Sequence, residues 1–133
     1  MVLDTSAIVA LLMNEPEADA IEVALDDDPV RLLSAASFLE PAIVVEARLG
    51  EPGGRELDLL LHKARIELVA VTPEQVEVAR SAWRRFGRGR HVAGLNFGDC
   101  FAYALAATSG EPLLCKGGDF AKTDVPRVGL GRE

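Results

Sequence analysis

The chain has 133 residues, 49% of them hydrophobic and 26% charged, with a formal net charge of −7. That length suits a single domain over residues 1–133 and is too short for two ordinary ones, while the composition excludes a disordered chain. The negative balance argues against a protein that coats nucleic acid by charge alone, and no uncharged run approaches the ~20 residues of a membrane span.

Val2-Leu3 reads as a short buried strand that runs straight into Asp4, followed by Thr5-Ser6 and the apolar run Ala7–Leu12. Thr5 or Ser6 is expected to cap a first helix, leaving Asp4 at the carboxyl end of the strand, where open α/β sheets bind ligands. Alone, such an acid reads as a cap or turn residue. No basic segment precedes the apolar run, so no signal peptide is expected. Asn14–Glu17 breaks the pattern and starts a second helix, with Ala20, Ile21, Ala24 and Leu25 at helical spacing. Asp26-Asp27-Asp28-Pro29 closes it. Three successive acids cannot converge on one ion, so this reads as a solvated turn.

Val30–Leu33 is expected as a second strand. The Ser37–Glu40 spacing fits a capping box, but Pro41 would then remove the first helical hydrogen bond. A start near Ser34 would instead place Pro41 inside the helix and kink it. In either case Glu40 lies in the first turns after a strand, while Glu46, about 600° further round at ~100° per residue, points elsewhere. Gly50–Gly54 reads as a loop, and Arg55–Ala64 as a helix with His62 off its apolar stripe. Glu67–Val71 is a third strand. Thr72 and Pro73 open a helix to about Phe86 whose packing face takes Val76, Ala79, Ala82 or Trp83, and Phe86. Trp83 is expected as a core anchor.

From Arg80 through Asn96 the chain carries Arg80, Arg84, Arg85, Arg88, Arg90 and His91 with no acid. Such a basic lobe on an acidic chain suits phosphate contact, although charge runs are usually solvated helix faces. Gly87–Gly94 is expected to be flexible. Asn96 is a natural N-cap for the next helix, with Asp99 at its third position. Glu111–Cys115 is a fourth strand, Lys116–Phe120 a glycine turn carrying Asp119, and Val125–Val128 a last edge strand. Cys100 and Cys115 are too few for a disulfide framework and read as reduced, packed thiols of a cytoplasmic protein. Strands alternating with helices imply a parallel sheet with helices on both faces.

Asp4, Glu40, Asp99 and Asp119 thus all fall where a strand ends or a helix begins. Gathered at one sheet edge they would repel one another unless neutralised, and hard divalent cations on oxygen ligands are the natural solution. The absence of a His/Cys cluster argues against zinc. No GxxxxGK[ST] or GxSxG motif occurs. A phosphoacceptor receiver domain normally needs adjacent acids early in the chain, and a D-x-D phosphatase fails because Ser6 holds the second acid's place.

Val2–Ala7 (V-L-D-T-S-A), Glu40 early in the third helix, Leu95–Cys100 (L-N-F-G-D-C) and Pro112–Phe120 (P-L-L-C-K-G-G-D-F) together resemble a PIN domain of the VapC ribonuclease-toxin type, across essentially the whole chain. The resemblance implies a three-layer α/β/α sandwich with a mostly parallel, roughly five-stranded sheet and Asp4 on its central strand. It implies an acidic pocket for Mg²⁺ or Mn²⁺ in which Asp4 and Asp99 are direct ligands. Glu40 and Asp119 are left to bind through water, to hold a second ion, or to position the nucleophilic water. Ser6 is the preferred hydroxyl beside the metal, and Asn96 supports the pocket from behind. The implied activity is endoribonuclease cleavage leaving a 3′-hydroxyl and a 5′-phosphate, with a homodimer, a cognate antitoxin and an RNA substrate as partners. Arg84, Arg85, Arg88 and Arg90 are the first candidates for RNA phosphate contacts. The chain departs from the commoner pattern at Cys115-Lys116-Gly117-Gly118, where threonine-x-asparagine or aspartate often stands. The alternative is a PIN-like module that binds a partner without cleaving RNA.

Overall fold

The computed structural model describes residues 1–130, so the last three residues of the expected domain lie outside it. Its elements run β1 (Val2–Leu3), α1 (Thr5–Leu12), α2 (Ala18–Asp26), β2 (Leu32–Ser34), α3 (Ala35–Lys63), β3 (Glu67–Val69), α4 (Pro73–Phe86), α5 (Phe97–Ser109) and β4 (Leu113–Leu114), with a 3-10 turn at Phe120–Lys122. The strands form one parallel sheet in the order β3-β2-β1-β4. Because all four run the same way, their carboxyl ends share one edge. The expected fifth strand is reduced to a single parallel bridge between Leu113 and Arg127, held by the Leu113 N–H to Pro126 O and the Val128 N–H to Leu113 O.

Alternation along each strand divides the core into two layers. Val2 and Leu113 face the layer built by α4 and α5, with Ala79, Ala82, Phe86, Ala102 and Leu105. Leu3, Leu33 and Leu114 face the opposite layer, with Ile8, Ile21, Leu25, Leu57 and Leu61 from α1, α2 and α3. This is the expected α/β/α sandwich. Apolar runs buried on both faces are what a parallel sheet requires. Arg31, just before β2, donates through its guanidinium to Leu25 O, to Asp28 O at 3.0 Å and to Ala64 O at 2.7 Å, so one side chain satisfies carbonyls at the ends of α2 and α3.

One choice that the sequence left open is settled here, in favour of a helix start near Ser34, and two sequence expectations change. The helix after β2 starts at Ala35 with Ser34 as its N-cap, so the Ser37–Glu40 capping box does not form and Pro41 lies buried inside the helix. Ser37 instead donates its hydroxyl to Gly98 O at 3.2 Å. The Gly50–Gly54 loop shrinks to a break at Gly50, whose φ of 68° and ψ of −162° suit glycine alone, and the helix resumes at Glu51. Gly53 serves close approach: a Cβ there would stand 2.6 Å from Leu49 Cβ. Finally, α4 buries Ala82 and leaves Trp83 46% exposed, so Trp83 is not a core anchor.

Candidate active site

Asp4 leaves the end of the interior strand β1 and is only 6% exposed. It is itself the N-cap of α1, replacing the expected Thr5 or Ser6. Its Oδ2 accepts from the Ser6 backbone N–H at 3.1 Å and from Ser6 Oγ at 2.6 Å. Ser6 Oγ in turn accepts from the Lys116 backbone N–H at 2.9 Å, tying the turn after β4 to the start of α1. Burial raises the pKa of Asp4 above the ordinary carboxylate value. The Ser6 hydroxyl, then the Ser6 and Thr5 N–H groups, pull it down, and the charge of Asp119 adds to the rise.

Asp99 occupies the first turn of α5 in a reciprocal capping box. Its N–H donates to Asn96 Oδ1 at 2.8 Å, and its Oδ2 accepts from the Asn96 N–H at 3.0 Å. Burial pushes its pKa up to about 6, against the pull of the Asn96 N–H; the charges of Asp4 and Asp119 push further, and Arg88 opposes them. The two shifts have the same origin: acids drawn out of water and set near one another.

Asp4, Glu40, Asp99 and Asp119 all line one open cavity of about 510 Å³, together with Ser6 and Asn96. Four stretches far apart in sequence therefore meet at the carboxyl edge of the sheet. Glu40 arrives from the α3 turn that also presents Pro41 and Val44, and Asp119 from the turn between β4 and Phe120. The carboxylates are spread around the walls; among the described residues no three Asp, Glu, His or Cys side chains form a ready-made ion site. Their donor chemistry nonetheless fits Mg²⁺ or Mn²⁺: the titratable donors are carboxylate oxygens, and a hard cation would favour the ionised forms that burial first, and the neighbouring acids second, disfavour.

The basic lobe lies outside this cavity, for none of Arg84, Arg85, Arg88 and Arg90 lines it. Arg85 is engaged with Asp124 at 2.8 Å. Arg90 lies over the Trp83 ring at 4.7 Å and donates to Arg84 O at 3.2 Å. Arg88, whose charge acts on Asp99, is the arginine of the four tied electrostatically to the site. Sequence reasoning passed over two charged residues that do line the cavity, Glu15 and Lys116. Lys116 follows directly on a strand end, the same signal that singled out Asp4.

The PIN domain family matches residues 1–126 of this chain. A curated relative, "Ribonuclease VapC" of Mycolicibacterium smegmatis, is 62% identical over 128 residues, covering 96% of this chain and 99% of its own. "Ribonuclease VapC30" of Mycobacterium tuberculosis is 59% identical over 130 residues, covering 98% and 99%. Two solved structures share the fold at low identity. VapBC2 from Rickettsia felis, bound to a DNA fragment from its promoter, superposes with a TM-score of 0.78 at 14% identity over 96% of each chain. A toxin–antitoxin complex from Klebsiella pneumoniae gives 0.73 at 16%, over 97% of this chain and 96% of that one.

Proposed function

The chain belongs to the PIN-domain family, in its VapC ribonuclease branch, and on that premise we propose that it is a divalent-metal-dependent endoribonuclease, the toxin of a toxin–antitoxin pair. The observation that carries this reading is the gathering of Asp4, Glu40, Asp99 and Asp119 around one cavity, two of them with raised pKa values. Few arrangements explain acids concentrated against their own repulsion, and a bound cation is the simplest.

Asp4 and Asp99 would hold the ion, being the buried and half-buried acids that fixed hydrogen bonds already orient. Mg²⁺ or Mn²⁺ at this place would supply charge stabilisation for an in-line displacement at phosphorus. Glu40 and Asp119, both exposed, accept a proton from the attacking water or orient it. Oxygen from that water bonds to phosphorus as the bond to the 3′-oxygen breaks; the departing 3′-oxygen takes a proton from solvent, and the products carry a 5′-phosphate and a 3′-hydroxyl. Ser6 fixes the rotamer of Asp4, and Asn96 fixes that of Asp99 through the shared cap. No helix among the described residues is long and apolar enough to cross a membrane.

The antitoxin expectation draws support from solved relatives that are toxin–antitoxin complexes. Exposed Leu39, Ile43, Leu49, Trp83 and Phe97 offer apolar surface to such a partner or to a second copy of the chain.

The test is incubation of the purified chain with total RNA and Mg²⁺ or Mn²⁺, beside an EDTA control and Asp99→Asn. Discrete fragments lost in both controls support the nuclease. Metal binding without cleavage of any RNA class would leave the partner-binding module as the better reading.

A further inference from the structure

Among the described residues that line the cavity, five acids, Asp4, Glu15, Glu40, Asp99 and Asp119, face a single cation, Lys116. Its backbone is fixed, because its N–H donates to Ser6 Oγ, which donates on to Asp4. Its side chain is not locked in the same way. The ammonium stands 3.0 Å from Glu15 Oε1 and 3.7 Å from Glu17 Oε1, at the α1–α2 turn on the rim. An ion pair of partly exposed side chains is worth little and exchanges readily, and a lysine on its flexible four-carbon stem swings without moving the backbone.

We infer that Lys116 is a substrate-binding residue of this site: it leaves Glu15 to contact a non-bridging oxygen of an RNA phosphate beside the bond that is cut, and Glu15 holds it at the rim until RNA arrives. This rests on the ribonuclease reading above and adds a residue to it. The argument is one of charge. A phosphodiester entering a cavity walled by five carboxylates meets repulsion, which a divalent cation would offset at Asp4 and Asp99 while Glu15, Glu40 and Asp119 still face the strand. A cation already on the wall, hydrogen-bonded through its backbone to the residue that orients Asp4, is the group placed to relieve it. Glu15 competes with the phosphate for that cation. The pair therefore works as an electrostatic latch, not only as a brace between α1 and β4.

The brace and the latch predict opposite behaviour when both partners are changed. The experiment measures binding of a fluorescein-labelled, mixed-sequence single-stranded RNA to the full chain in EDTA, where nothing is cleaved, across a salt series. Lys116→Met is expected to weaken binding about tenfold and to lower the slope of log affinity against log salt by about 0.7, the contribution of one phosphate contact on a single strand. Lys63→Met, at the far end of α3, removes the same charge as a control and leaves the slope unchanged. Glu15→Gln tightens binding, and Lys116→Met costs more in that background than in the wild type, because Lys116 is then released to the phosphate. Equal slopes for Lys116→Met and Lys63→Met, or a Lys116→Met effect that vanishes in the Glu15→Gln background, would leave only the brace and overturn the inference. A wild-type chain that neither binds nor cuts RNA would remove the ribonuclease reading as well.

Discussion

Asn96 and Asp99 cap α5 for each other: Asn96 Oδ1 accepts the Asp99 N–H at 2.8 Å while Asp99 Oδ2 accepts the Asn96 N–H at 3.0 Å. One carboxylate oxygen of Asp99 is thus spent on the helix, and the other is left for the cavity. The same exchange of hydrogen bonds both builds the helix and aims the acid.

Asn96→Ala removes one arm of this exchange and keeps the other, since the Asn96 N–H belongs to the backbone. The expected loss is about 1 kcal/mol of stability with a fall in cleavage of less than about tenfold, whereas Asp99→Asn abolishes cleavage. Urea titrations beside fragment yields on one RNA check both halves.

Asp99 binds its proton more tightly in the folded chain, at about 6, than an ordinary aspartate does at 3.8. That preference stabilises the native state fully below the lower value and is lost as pH rises through the higher one. In EDTA, stability should therefore fall between about pH 4 and 6.5, by on the order of 2 kcal/mol once partial exposure is discounted. A divalent cation binds the ionised form, so Mg²⁺ should flatten this fall and move its midpoint to lower pH. Urea midpoints at a series of pH values, with and without Mg²⁺, measure the effect.

Ser6 joins Asp4 to Lys116 through one hydroxyl. Ser6→Ala leaves the buried Asp4 without its shortest donor and the Lys116 N–H without its acceptor. The expected cost is about 1–3 kcal/mol of stability, a further rise in the Asp4 pKa, and weaker Mg²⁺ binding by calorimetry. Ser6→Thr, which keeps the hydroxyl, should recover most of the loss.

Tyr103 donates to Asp124 Oδ1 at 2.5 Å, and Arg85 reaches Asp124 Oδ2 at 2.8 Å. Burial and the neighbouring Asp124 push the phenol up to about 12, while the phenol's hydrogen bond holds the Asp124 carboxyl below its usual range. Tyr103→Phe should cost about 1.5–3 kcal/mol, as for a hydrogen bond to a charged group. Arg85→Ala should cost clearly less than Tyr103→Phe, its side chain being half-exposed and its ion pair screened by water. Thermal unfolding of the two variants ranks them.

The architecture was legible because strand and helix patterns alternate and each strand is a short apolar run. Asp4 and Asn96–Asp99 were legible because capping and strand-end chemistry are local. What stayed hidden depends on contacts between distant segments. The Ser37–Glu40 spacing left a capping box and an earlier helix start both open, and nothing local showed that the Ser37 hydroxyl goes to Gly98 O, sixty-one residues away. Gly53 looked like a loop residue, yet it is small because Leu49 and Val45 press on it. Ala82 and Trp83 compete for one place on the helix, and only the close approach of α4 to α5 decides for the alanine. The pairing of Lys116 with Glu15 spans 101 residues and leaves no periodicity to read.

Arg31 has a kinetic consequence. The carbonyls it satisfies, Leu25 O, Asp28 O and Ala64 O, lie at the ends of two helices separated by more than thirty residues of chain. Fraying either end strands a guanidinium proton that the other end helped to place, so the two ends should open together. Amide hydrogens in the last turns of α2 and α3 are then expected to exchange with deuterium at matched rates in the native protein. In Arg31→Met the two rates separate, each helix end fraying on its own clock.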